Sequence, residues 1–146
     1  MSKQSKPEVM PVTLSLTISR QFLMDVLCTA VEGGSNYWAA FEKAGHEKGE
    51  HGRQYVTITV IECCDELCTP TSPRYPVDLG ALAAGMVRLI QGGMHDEGQS
   101  PGTGDCAPSY RAELLHAILT DDAGQVDGNL ADLVLQAATL KCIRYG

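Results

Sequence analysis

A chain of 146 residues with 18 acidic and 11 basic side chains carries a formal net charge of −7. That balance argues against direct nucleic-acid binding, which needs clustered Lys and Arg against phosphate. At 44% hydrophobic and 20% charged, the composition suits a globular protein able to bury a core without staples. No apolar run reaches the roughly 20 residues that span a bilayer.

The first eleven residues, Met1 to Pro11, lack the apolar middle segment of a secretory signal. We read them as a flexible tail (1–11) before one globular domain (12–146), in the cytoplasm. With no export signal, the six cysteines are expected as reduced thiols, and Cys28 as a small hydrophobe within a helix.

Val12, Leu14, Leu16 and Ile18 alternate with Thr13, Ser15 and Thr17, which predicts a half-buried strand. Ser19 is placed to cap a helix whose apolar face is Phe22, Leu23, Val26, Leu27, Ala30 and Val31, with Gly33-Gly34 as its stop. Asn36 to Ala44 reads equally as a short helix or an irregular segment, and Gly45 to Gly52 as an exposed loop. Tyr55 to Ile61 is the strongest strand, rich in β-branched residues. Cys63 to Pro76, with three cysteines and three prolines, reads as a loop or hairpin edge.

Asp78 is placed to cap a second helix with a stripe of Leu79, Leu82, Ala83, Met86, Val87 and Ile90, ended by Gly92-Gly93. Met94 to Pro108 is a long glycine-rich loop of a length that is either functional or disordered. A third helix runs from about Ser109 to Thr120 on Leu114, Leu115, Ile118 and Leu119, ending before Asp121 and Asp122. Asp127 or Asn129 opens a fourth on Leu130, Leu133, Val134, Ala137 and Ala138, and 141–145 looks like a closing strand. The sum is α+β: a small, mostly antiparallel sheet of about three strands with about four helices on one face.

The candidate chemistry is sparse, and no catalytic residue and no cofactor are assigned. Cys63, Cys64 and Cys68 with His46 and His51 are the right ligand types for a tetrahedral zinc site. Their spacing lacks paired motifs, and neighbouring side chains on an extended backbone diverge. Cys106, near a helix start, is a candidate thiolate with no base tied to it. Gly102-Thr-Gly104 is not a phosphate cradle, since no strand precedes it and Asp105 would repel a phosphate. Tyr37 and Trp38 are either core or an interface anchor. The acids Glu62, Asp65, Glu66, Asp96, Glu97, Asp121 and Asp122 are candidates for a surface that meets a basic groove.

Four stretches resemble a family of small proteins carried by phages, plasmids and other mobile elements of bacteria. They are Glu32-Gly-Gly-Ser-Asn-Tyr-Trp38, Pro76-Val-Asp-Leu79, Asp127-Gly-Asn-Leu-Ala-Asp-Leu-Val-Leu-Gln136 and Arg144-Tyr-Gly146. The resemblance runs from Val12 onward and is weakest across 45–52 and 94–108. Where the family has a bulky aromatic after the glutamine, this chain has Ala138-Thr-Leu140. The resemblance implies a mobile-element accessory protein, similar in profile to anti-CRISPR inhibitors, which bind a host defence complex such as a CRISPR effector without turnover. Two other readings are a zinc-binding or cysteine-dependent module on Cys63, Cys64 and Cys68, and a structural or replication accessory acting as a homodimer.

Overall fold

The first regular element of this computed structural model, which describes residues 8–63 and 68–146, is a helix rather than a strand. Among the described residues, 12–18 pair with no strand, and Val12 and Leu14 are 80% and 79% exposed. The alternation there is real, but alternation alone does not supply a pairing partner. The expected tail lies in part outside the described residues, which leave out 1–7 together with Cys64, Asp65 and Glu66.

Helix α1 (Arg20–Thr29) is capped by Ser19, whose Oγ accepts from the Phe22 amide. It runs into a single π-helical turn, Ala30–Gly34. Three antiparallel strands follow: β1 (Ala39–Gly49), β2 (Gly52–Glu62) and β3 (Arg74–Asp78), in the order β1-β2-β3. The expected loop over 45–52 is therefore mostly strand. Gly49 pairs with Gly52, so only Glu50 and His51 make the turn. Closing so short a connection costs little chain entropy, which explains why this hairpin forms although β1 is polar. Both edges of β2 are thereby occupied, leaving no place on it for 12–18.

Helix α2 (Leu79–Gln91) begins at the Asp78 cap and stops at Gly92, at φ 69°. Helix α3 (Pro108–Leu119) and helix α4 (Gly128–Thr139) follow, α4 capped by Asp127. Among the described residues these four helices and three strands make the expected α+β fold. Ile58, Val60 and Val77 from the sheet join Phe22, Val26, Leu82, Met86, Leu114, Leu130 and Val134 from the helices in one buried cluster. Helices α2 and α4 touch backbone to backbone, for a Cβ on Gly85 would lie 2.7 Å from Ala138.

The helical stripes need adjustment. Val87 and Leu119 are exposed, while Leu89 is fully buried. The expected closing strand at 141–145 is irregular chain beginning at Lys141, at φ 60°. Among the described cysteines, Cys63 and Cys68 form a disulfide, which corrects the expectation of reduced thiols for that pair. Cys28, Cys106 and Cys142 are free.

Candidate functional site

Three of the four stretches singled out in the sequence meet at one place. The π-helical turn brings the chain against the start of α4, and small residues permit the approach: a Cβ on Gly34 would lie 2.6 Å from the Gly128 carbonyl oxygen. Ser35 then closes the turn, its amide donating to the Ala30 carbonyl, and its own carbonyl accepts from the Trp38 and Ala39 amides. Ser35, Tyr37 and Trp38 are thereby aimed at α4.

On α4 they meet Asp132, which is 5% exposed. Its carboxylate accepts from Ser35 Oγ at 2.8 Å, Trp38 Nε1 at 2.7 Å, Tyr37 OH at 2.5 Å and Gln136 Nε2 at 3.0 Å. A buried carboxylate persists only with such compensation. Burial, reinforced by the Asp132 carboxylate, pushes the Tyr37 phenol well above the ordinary tyrosine value.

Gln136, one turn further and fully buried, holds the last residues of the chain. Its Oε1 accepts from the Arg144 and Tyr145 amides at 2.9 and 3.0 Å, and its Nε2 donates to the Tyr145 carbonyl at 3.0 Å. One side-chain amide thus supplies the donor and acceptor that a neighbouring strand would have supplied, and this is why 141–145 needs no sheet. The Tyr145 ring stacks on Trp38 with centroids 5.3 Å apart and planes 7° apart.

Beyond the rings lies an ionic cluster. Tyr145 OH and Arg144 Nη1 both donate to Glu62 Oε2, at 2.6 and 2.7 Å. Arg144 Nε and Nη2 donate to Asp96 at 3.3 and 3.2 Å. The hydrogen bonds to Asp96, and then those to Glu62, raise the Arg144 guanidinium further, so it stays charged. Burial and the Glu62 charge raise the Tyr75 phenol. The long 94–107 segment is tied down by the same end of the chain: Asp96 by Arg144, and Gly104 through its carbonyl to the Ile143 amide at 2.7 Å.

An open cleft of about 430 Å³ flanks this cluster, lined by Tyr37, Tyr110, Tyr145, Cys106, Asn129 and Leu133 among others. Burial, then the Asp105 charge, pushes the Cys106 thiol up. This is opposite to what a thiolate nucleophile at a helix start requires.

The candidates from the sequence divide accordingly. Trp38 is 1% exposed and belongs to the core, whereas Tyr37 is 58% exposed. Glu62 and Asp96 are buried and ion-paired, so they present no acidic surface. Glu97, Asp121 and Asp122 are exposed. Asp122 caps a short 3-10 turn through the Gly124 amide, and Asp121 accepts from Ser19 Oγ. The proposed zinc ligands are not assembled. Cys63 and Cys68 are bonded to each other, His46 packs on Tyr55, and His51 sits at the hairpin turn, at the opposite end of β2 from Cys63. Among the described residues, no group of three or more His, Cys, Asp or Glu is placed to hold a metal ion.

Asp132, Gln136 and Arg144 were missed as site residues. The signal available for Asp132 and Gln136 was a polar pair at i and i+4 on an otherwise apolar helix face, which places their side chains inside the core; Arg144 carried none. No family model, curated protein or solved structure matches this chain. Among the described residues, no helix is long and apolar enough to cross a membrane.

Proposed function

We propose that this chain is a mobile-element accessory protein that binds and inhibits a host defence complex. In this reading it is anti-CRISPR-like, stoichiometric and without turnover. The observation that carries the reading is the charge pattern. The chain has a net charge of −7; its exposed acids, Glu32, Asp78, Glu113 and Asp127 among them, are spread over several elements, and the exposed acids expected from the sequence stand at two of these places. One is the end of the molecule at the β1–β2 turn, where Asp25, His51 and Gly124 line one depression and the exposed Glu50, Asp121 and Asp122 stand with the exposed Lys48 and Arg53. The other is the loop carrying Glu97, beside Thr103 and Arg144. An acidic surface of this kind steers encounter with a basic, nucleic-acid-handling protein and competes with phosphate for its groove. The polar groups of the Asp132 cluster support the same reading, because they are spent on holding the fold together.

The test begins with capture from a host extract and identification by mass spectrometry, followed by reconstitution with the purified partner. A one-to-one complex should block nucleic-acid capture by that partner. Its association rate should fall with added salt, and fall several-fold for Glu97→Lys combined with Asp121→Lys. A partner inhibited only by catalytic amounts of the protein would overturn the stoichiometric reading. An association rate indifferent to charge reversal would overturn the electrostatic one.

A further inference from the structure

The segment Val12-Thr-Leu-Ser-Leu-Thr-Ile18 is anomalous. Its side chains alternate as those of a half-buried strand do. Yet among the described residues it pairs with no strand, and Val9, Met10, Val12 and Leu14 are 85%, 82%, 80% and 79% exposed. An apolar run of this kind, left in water, marks an interaction site.

The sequence of the segment indicates the partner. It is close to a palindrome about Ser15: leucines stand one residue away on either side, threonines two, and Val12 and Ile18 three. Two copies laid antiparallel and centred on Ser15 set Leu14 against Leu16, Thr13 against Thr17, and Val12 against Ile18. All the apolar side chains then fall on one face and all the hydroxyls on the other. Such a match is the self-complementarity that a twofold interface requires, and β-branched or hydroxyl cross-strand pairs favour it.

The segment is also anchored at its far end. Ile18 packs on the core, and Ser19 Oγ donates to Asp121 just past α3. Leu119, two residues before Asp121 and 66% exposed, adds apolar surface at that corner.

We propose that residues 12–18 are a dimerisation strand, through which two copies of this chain form an intermolecular two-stranded antiparallel ribbon centred on Ser15. Seven residues per chain bury less than the roughly 1,000 Å² that marks a stable interface, and an isolated two-stranded ribbon is marginal. The dimer is therefore a reversible one, dissociating in the micromolar range. It does not depend on the inhibitor reading.

Sedimentation velocity across a concentration series checks this directly. The parent chain should shift from monomer toward dimer as concentration rises through about 1–200 µM, by mass action. Leu14→Asp should remain monomeric throughout with an unchanged far-UV spectrum, since Leu14 is exposed in the folded chain.

Cross-linking reads the register. In the centred pairing the two Ser15 Cα atoms face each other at about 4.5–5.5 Å, within the span a disulfide bridges. The two Thr13 positions lie about 13 Å apart along the strands. Ser15→Cys should form a disulfide-linked dimer under mild oxidation and Thr13→Cys should not, with the parent chain as the baseline for its own cysteines. A mixture of Thr13→Cys and Thr17→Cys should cross-link. A monomer at every concentration overturns the proposal, as does a dimer that survives Leu14→Asp, or equal cross-linking of Ser15→Cys and Thr13→Cys. A segment needed only for capture of a different protein also overturns it, in favour of strand addition to that protein.

Discussion

Replacing Asp132 by alanine takes the shared acceptor from four donors at once and strands the buried Trp38 N–H. The Trp38 indole N–H donates to this carboxylate, and the residue is 1% exposed. A buried donor left unpaired costs about 1–3 kcal/mol. The Ser35 hydroxyl can turn elsewhere, and Gln136 Nε2 keeps the Tyr145 carbonyl. Together they add about 2 kcal/mol of lost charge-assisted bonding. Asp132→Ala should therefore cost about 3–5 kcal/mol, a large part of the 5–15 kcal/mol typical of a domain's total stability. Asp132→Asn keeps an oxygen for Ser35 and Trp38 and presents its amide to Tyr37, whose hydroxyl can accept, while Gln136 Nε2 loses this acceptor and keeps the Tyr145 carbonyl. It should cost about 1–2 kcal/mol. Urea unfolding followed by the fluorescence of Trp38, the only tryptophan, measures both. With an m-value of about 2 kcal/mol/M, the alanine midpoint should fall by about 2 M and the asparagine midpoint by less than 1 M. Equal midpoints for Asp132→Ala and the parent would refute the view that this carboxylate holds the π-helical turn, α4 and the end of the chain together.

Arg144→Leu should cost about 2–4 kcal/mol, because it leaves Glu62 and Asp96, 8% and 7% exposed, without their cation. Adding Glu62→Gln and Asp96→Asn should recover part of that loss in the same unfolding assay, and no recovery would locate the loss elsewhere. Gly85→Ala should lower the melting temperature, since its Cβ would lie 2.7–2.8 Å from Ala138 and overpacking of about 1–3 kcal/mol outweighs the gain in helix propensity. Gly33→Ala, with nothing within 4 Å of its Cβ, should leave the melting temperature unchanged or raise it slightly. The Tyr37 and Tyr75 phenols are raised above their ordinary value of 10.0 in the folded state, so the fold binds those protons more tightly than the unfolded chain. Their contribution is complete below pH 10 and is lost as pH rises above it. Stability measured by urea should decline above pH 10, and Tyr37→Phe should decline less steeply; a parent chain equally stable at pH 9 and pH 11.5 would contradict the linkage.

Much of the fold was legible because its signals are local. Ser19, Asp78 and Asp127 each cap a helix through a side-chain oxygen three residues from the amide it accepts, and such short-range geometry shows in the chain itself. The same holds for the β-branched run of β2, for the glycine stop of α2 and for the α+β class. What remained hidden depended on partners distant in sequence. β1 is polar and carries no strand pattern of its own, and forms because a two-residue turn lays it along β2. Residues 12–18 carry the pattern of a strand but meet no free edge of β2.

The site was divided in the same way. The sequence alone determined that Asp132 and Gln136 lie one turn apart on an apolar helix, and that the charge is strongly negative. Only the tertiary structure decided that Asp132 would gather four donors from two segments nearly a hundred residues apart, and that Glu62 and Asp96 would be buried against Arg144 rather than left at the surface. The reason is physical. A buried charge is tolerable only where compensating groups converge on it, and that convergence is a property of packing, which neither periodicity nor composition encodes.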